Sequence, residues 1–189
     1  MEYSFSFLIR DADPEDDLAI NALVEAGCDD ATLAFQYGVL SVDFDREADS
    51  YIEAVISAYI DLRATQFPVV AFEPDNLVSI SDIAKRVSLT RAAVTLYASH
   101  ERQKQFPSPC RRVHSNSPLY DWVEVSRWFY QRDKISGEVV DEAIQTRAVN
   151  WTVAWARTEG KSPDGSEFRT RVFEFIEAGR RSILSTLAS

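Results

Sequence analysis

The stretch LVSISDIAKRVSLTRAAVTLYASHERQKQFPSPCRRVHSNSPLYDWVEVSRWF (residues 77–129) decides how the chain is organised. Its first half reads as two short helices around a tight turn. Ser81 is placed to cap the first, which runs through Ile83 and Ala84 to about Arg86. Val87, Ser88 and Leu89 make the turn, and Thr90 caps a second helix from about Arg91 to His100. Two short helices that cross steeply need a small residue where their backbones meet, and Ala84 supplies it. They also need apolar side chains on their inner faces, a role for Ile80, Ile83, Val87, Leu89, Val94 and Tyr97. Ser88 stands where such a turn usually carries glycine. The outward face of the second helix is then Thr90, Arg91, Ala92, Thr95 and Ser99, with Leu96 beside it. These side chains are short enough to let a helix seat in a major groove. Arg91 suits bidentate contact with guanine or a phosphate clamp, and Ala92 and Thr95 suit a base edge or a thymine methyl.

An ordinary helical hairpin has a similar pattern, so the residues that follow matter. FPSPCRRV (106–113) cannot remain helical past Pro107 and Pro109, and HSNSP (114–118) is turn-like. LYDWVEVSRWFYQ returns as a brief strand and a helix from about Asp121 to Gln131, with Trp122, Val125, Trp128 and Phe129 on its inner stripe. A β-hairpin between an exposed helix and a closing aromatic helix has the order of a wing. Cations belong there to meet phosphates, and Arg111 and Arg112 lie on its leading strand, with Arg102 and Lys104 on the approach. The net charge of −10 opposes nucleic acid at first sight. Its distribution reverses that. Residues 1–84 hold 18 acidic against three basic residues, whereas 85–112 hold seven basic residues, Lys85 and Arg86 among them, against Glu101 alone. DNA responds to potential within a Debye length of roughly 8–10 Å, so a basic island can bind phosphate on an acidic protein.

Over about residues 20–131 the chain resembles the MerR/excisionase-like winged helix-turn-helix group of bacterial DNA-binding proteins. The resemblance is carried by an IA–R–T–R–V core, an FP-P wing and a closing W–V–W helix within 77–129. The segment GCDDATLAFQYGVLSVDFDREADSYIEAVISA is similar to the N-terminal region of the same group. It implies that Thr90, Arg91, Ala92 and Thr95 are recognition positions and that Arg111 and Arg112 belong to the wing. Arg102-Gln103-Lys104-Gln105 stands where that group often has a Gly-rich approach.

Residues 1–76 predict strand, helix, strand, strand, helix, strand. Tyr3, Phe5, Phe7 and Ile9 alternate as in a half-buried strand. Asp13-Pro14 starts a helix with Leu18, Leu23 and Ala26 inward, and Gly27 stops it. TLAFQ and VLSVDF flank a hairpin signal at Tyr37-Gly38. A helix over 48–65 follows, with Ile52, Val55, Ile56, Tyr59, Ile60 and Leu62 at helical spacing, and PVVAFEP is the last strand. The βαββαβ order is of ferredoxin-like type. DFDREADS (43–50) could be imagined as a carboxylate site through Asp43, Asp45, Glu47 and Asp49. A strand end followed by an acid-tolerant helix start accounts for it as well.

The remainder predicts two helices, Gly137 to about Arg157 and Phe168 to Leu187, around the loop EGKSPDGSE. The first carries Trp151 and Trp155, and either packs on the preceding segments or forms a homodimer surface. The expected organisation is α+β, with a ferredoxin-like domain over 1–76, a winged helix-turn-helix over 77–134 and a C-terminal helical segment over 135–189. The opening MEYSFSFLIR lacks the basic start and apolar block of a signal peptide, and no apolar run approaches ~18 residues, so a cytoplasmic location without membrane contact is expected. Cys28 and Cys110 are too few for a disulfide framework or a zinc site. No Gly-rich phosphate loop or nucleophile pairing appears, so neither an enzyme nor a cofactor is expected. The partner expected is double-stranded DNA. The rival is an antitoxin-like or adaptor protein whose acidic N-terminal half grips a protein partner.

Overall fold

The computed structural model describes residues 1–13, 15–99 and 105–187, the side chains of 182–187 excepted. The chain is α+β. It forms two compact units, residues 1–74 together with the chain from Ala148 onward, and residues 75–147. The second division, between Arg147 and Ala148, falls inside a helix.

In the first unit, β1 (Glu2–Ile9), α1 (Asp17–Glu25), β2 (Ala31–Gln36), β3 (Val39–Glu47), α2 (Tyr51–Ala64) and β4 (Val69–Glu73) follow in that order. The strands form one antiparallel sheet in the order β2-β3-β1-β4, with β1 paired to both β3 and β4. Alternation places Phe5, Phe7 and Ile9 of β1 on the same face as Leu40, Val42 and Phe44 of β3, where all six are buried. Phe7 packs on Phe72 of β4 with ring centroids 5.0 Å apart. The β2–β3 connection is the two-residue turn Tyr37-Gly38, both at positive φ (53° and 80°), the geometry whose twist suits a tight hairpin.

Helix α1 begins later than Asp13-Pro14 suggests. The Asp13 carboxylate accepts from the Glu15 amide at 2.9 Å, closing a local turn, and Asp16 caps the helix by accepting from the Leu18 amide at 2.9 Å. Pro14 lies outside the described residues. In the helix that forms, Ala19 and Leu23 face inward, whereas Leu18, expected inside, is 76% exposed.

Helix α2 is capped by Ser50 and buries eight of its 14 residues. A helix apolar on more than one stripe must be covered on more than one side. One cover is the sheet. The other is α7 (Gly165–Leu187), preceded in the chain by α6 (Gly137–Thr158). Tyr59 of α2 and Phe168 of α7 stack with centroids 3.6 Å apart and 9° between planes. The Tyr59 hydroxyl donates to the Pro163 carbonyl at 2.9 Å, and Arg169 forms a bidentate pair with Glu53. Gly165 permits this approach, since a Cβ there would lie 2.6 Å from Ile60 Cγ1. The C-terminal helix therefore packs on α2.

Arg46, on the inner face of β3, is buried and uses all five N–H donors. Nε and Nη2 hold Asp30 at 2.7 and 2.9 Å, Nη1 holds Asp61 at 2.6 Å and Ser57 at 3.2 Å, and Nη2 donates to the Gly27 carbonyl at 2.8 Å. One side chain thus ties β3, α2 and the α1–β2 loop together. Cys28, buried beside it, has its thiol pushed up to about 12 by burial first and by the Asp61 charge second. Truncating Arg46 leaves two partly buried carboxylates without a counter-charge. Arg46→Ala is expected to cost roughly 3 kcal/mol in urea unfolding, and Arg46→Lys to recover less than half of it, because an ammonium cannot span both carboxylates.

Candidate nucleic-acid interface

The second unit contains β5 (Leu77–Val78), α3 (Ile80–Arg86), α4 (Arg91–Ala98), β6 (Tyr120–Asp121), α5 (Trp122–Tyr130) and the start of α6. Helix α3 is capped by Ser79, not Ser81. The Ser79 hydroxyl accepts from the Asp82 amide at 3.3 Å, and the Asp82 carboxylate accepts from the Ser79 amide at 2.9 Å and hydroxyl at 2.6 Å. The reciprocal acid three residues on selects the earlier serine. Thr90 caps α4 by accepting from the Ala93 amide at 3.2 Å. Between the helices Ser88 sits at φ 53°, in the left-handed region that glycine favours. Ile83, Ala84, Val94 and Tyr97 are buried, whereas Leu89, expected inside, is 37% exposed. The left-handed residue just before it turns the chain outward.

Tyr97 leads into an aromatic cluster. Its ring stacks on Phe106 at 6.4 Å and meets Trp128 edge-on at 5.1 Å, while Phe106 also meets Trp128 at 5.0 Å and Tyr120 at 5.8 Å. Trp122, Val125, Trp128 and Phe129 form the buried stripe of α5, whose cap is Asp121 accepting from the Val123 amide at 2.8 Å. Asp121 also pairs with Arg147 at 3.3 Å, and the Trp122 amide donates to the Asn76 carbonyl, joining the start of α5 to β5.

The 106–120 region is more economical than a full hairpin. One bridge, Arg111 with Leu119, closes it, helped by the Cys110 amide donating to the Leu119 carbonyl at 2.8 Å. Pro109 and Pro118 have no N–H to extend the ladder. Beyond the bridge, residues 112–117 are all exposed, with Arg112 at φ 50°.

The predicted site residues divide by environment. Thr90, Arg91, Ala92, Thr95 and Ser99 are exposed on α4 and its caps, as are Lys85, Arg111 and Arg112. Helix α4 carries no acidic residue. Thr95 and Ser99 donate to the Arg91 and Leu96 carbonyls, at 2.9 and 3.4 Å. Arg86 differs from the others. It is half-buried, lies 5.1 Å from the Trp122 ring centroid and donates to the Asp75 carbonyl at 3.0 Å, so it braces the unit. Arg102 and Lys104 lie outside the described residues, as does His100. Comparison with protein-family models, curated proteins and solved structures finds no match. Asp43, Asp45 and Glu47 alternate along β3, where Asp45 accepts from Ser4 at 2.6 Å and Asp43 from Ser41 at 2.5 Å. Among the described residues no group of three His, Cys, Asp or Glu is arranged to hold a metal ion, and no helix is long and apolar enough to cross a membrane.

Two stability effects test the local geometry. Ser88→Gly removes the left-handed strain and is expected to raise stability by about 0.5–1 kcal/mol, read as a higher urea midpoint. The hydrogen bond from the Ser79 hydroxyl, the largest cause, holds the Asp82 carboxyl below its ordinary value. Its stabilising contribution is present above the unfolded value of about 4 and is lost as pH falls through the depressed folded value. Asp82→Ala is expected to cost about 1 kcal/mol at neutral pH, the difference from the native chain shrinking below that window.

Proposed function

We propose that the chain is a sequence-specific DNA-binding regulator that uses α4 as a recognition helix and the 111–119 ribbon as a basic wing. The observation that carries this is the exposed face of α4. Arg91, Ala92, Thr95, Leu96 and Ser99 are exposed together, with one cation and no carboxylate, on a protein with 30 acidic residues. A helix presenting small side chains and one guanidinium matches what a major groove admits and reads. Support for the wing comes from Arg111 and Arg112 at the base of an exposed loop, anchored to α4 through Tyr120, Phe106 and Tyr97. We read this unit as a winged helix-turn-helix of the MerR/excisionase-like kind. The strand order β2-β3-β1-β4 supports a ferredoxin-like reading of the other unit.

Dimerisation through the C-terminal helices would supply two half-sites. Trp151 at 44% exposure and Phe173 at 37% are apolar surface available for it. A second reading, an adaptor with a basic protein partner, is favoured by the outer face of the sheet, where Glu2, Asp45 and Glu47 are exposed.

The test is a gel shift on the DNA upstream of the chain's own coding sequence. Arg91→Ala with Arg111→Ala is expected to weaken binding by at least about tenfold and to flatten the salt dependence of log K by roughly 1–2. Unchanged affinity at moderate salt would remove the DNA reading and leave the adaptor.

A further inference from the structure

We infer that the first unit holds a binding site for a small polyanionic metabolite, in a cleft formed by the end of β1, the C-terminal part of α2, the start of β4, the end of α6 and the α6–α7 loop. The cleft is open to solvent, has a volume of about 270 Å³ and is lined by four cations, Arg10, Arg63, Arg157 and Lys161, beside the stacked rings of Tyr59 and Phe168. Among the described residues no carboxylate lines it, Asp164 and Glu167 lying near enough to act on the Tyr59 phenol without being part of the lining.

That composition runs against the surroundings. The first 74 residues contain 16 acidic residues and only three basic ones. Arg46 is consumed by Asp30 and Asp61, and the other two, Arg10 and Arg63, both line this cleft. Among the described residues none of the four lining cations forms an ion pair. Arg10 and Arg157 are exposed and, among the described residues, make no side-chain hydrogen bond. Lys161 stands 4.9 Å from the Trp155 ring centroid. Arg63 donates through Nε to the Pro163 carbonyl at 3.0 Å, the same oxygen that Tyr59 holds, so the loop bearing Lys161 is fixed in place.

Four like charges around one cavity repel one another, and an anion of two or more charges relieves that repulsion. Guanidinium groups offer the paired N–H geometry that phosphate and carboxylate accept. The volume lies near the lower bound of small-molecule sites, which suits a phosphorylated sugar or a tricarboxylate rather than a dinucleotide. Phosphorylated and polycarboxylic ligands share this chemistry, and two probes separate them.

Isothermal titration of the full chain with inorganic pyrophosphate and with citrate is the experiment. Saturable single-site binding of at least one is expected, the tighter of the two naming the class. Arg10→Ala with Arg157→Ala is expected to weaken it at least ~tenfold with an unchanged circular dichroism spectrum, and Lys161→Glu to do the same. The assignment is overturned if neither probe gives a saturable heat up to about 10 mM. It is equally overturned if binding survives the Arg10/Arg157 pair of substitutions, or if it is lost instead on Arg91→Ala with Arg111→Ala, which would put the anion on the basic helix of the other unit.

Discussion

The second unit depends on the burial of one ring. Between Gln105 and Pro118, Phe106 is the only buried residue, and it lies among Tyr97, Tyr120, Trp128 and Phe129. Three prolines deny this segment a regular ladder, and a single bridge closes it. Its course is therefore set by where Phe106 docks. Burying a phenyl ring contributes roughly 1.5–3 kcal/mol, more than a lone bridge can. The same contact fixes Tyr97, hence the rotation of α4, and so decides which of its side chains face water.

Charge is distributed by locality. An acidic chain would repel both DNA and small anions if its charge were smeared evenly. Instead, cations gather along 85–112 and around one cleft, and the first 74 residues carry 16 carboxylates against three cations. Screening over roughly 8–10 Å makes the local charge, rather than the net charge of −10, decide what each patch attracts.

Much of this arrangement was legible in the residues. Strand alternation in β1 and β3, the Tyr37-Gly38 turn, the Thr90 and Asp121 caps and the aromatic stripe of α5 are local signals, and each appears where local chemistry predicts. The misplacements have local causes that a linear scan underweights. Asp82 reaches back to select Ser79, Asp13 spends its carboxylate on a turn and shifts α1, and Ser88 turns Leu89 outward. Arg86 looked like any other basic-island residue, because its Trp122 and Asp75 partners are visible only in three dimensions. The four-cation cleft was invisible for the same reason, its members lying from residue 10 to residue 161. A division inside α6 has no marker either, since the helix continues without a break through Arg147 and Ala148.

Arg46 carries one more implication. On β3 it points inward, whereas its neighbours Asp45 and Glu47 are exposed. Sliding this strand by a single position against β1 would drive an acid into the phenylalanine layer and strand the guanidinium in water, away from Asp30 and Asp61. The misregistered pairing is thereby penalised far more than an all-apolar strand would penalise it. A salt link that adds little over a well-packed hydrocarbon still earns its position as a proofreader of strand alignment.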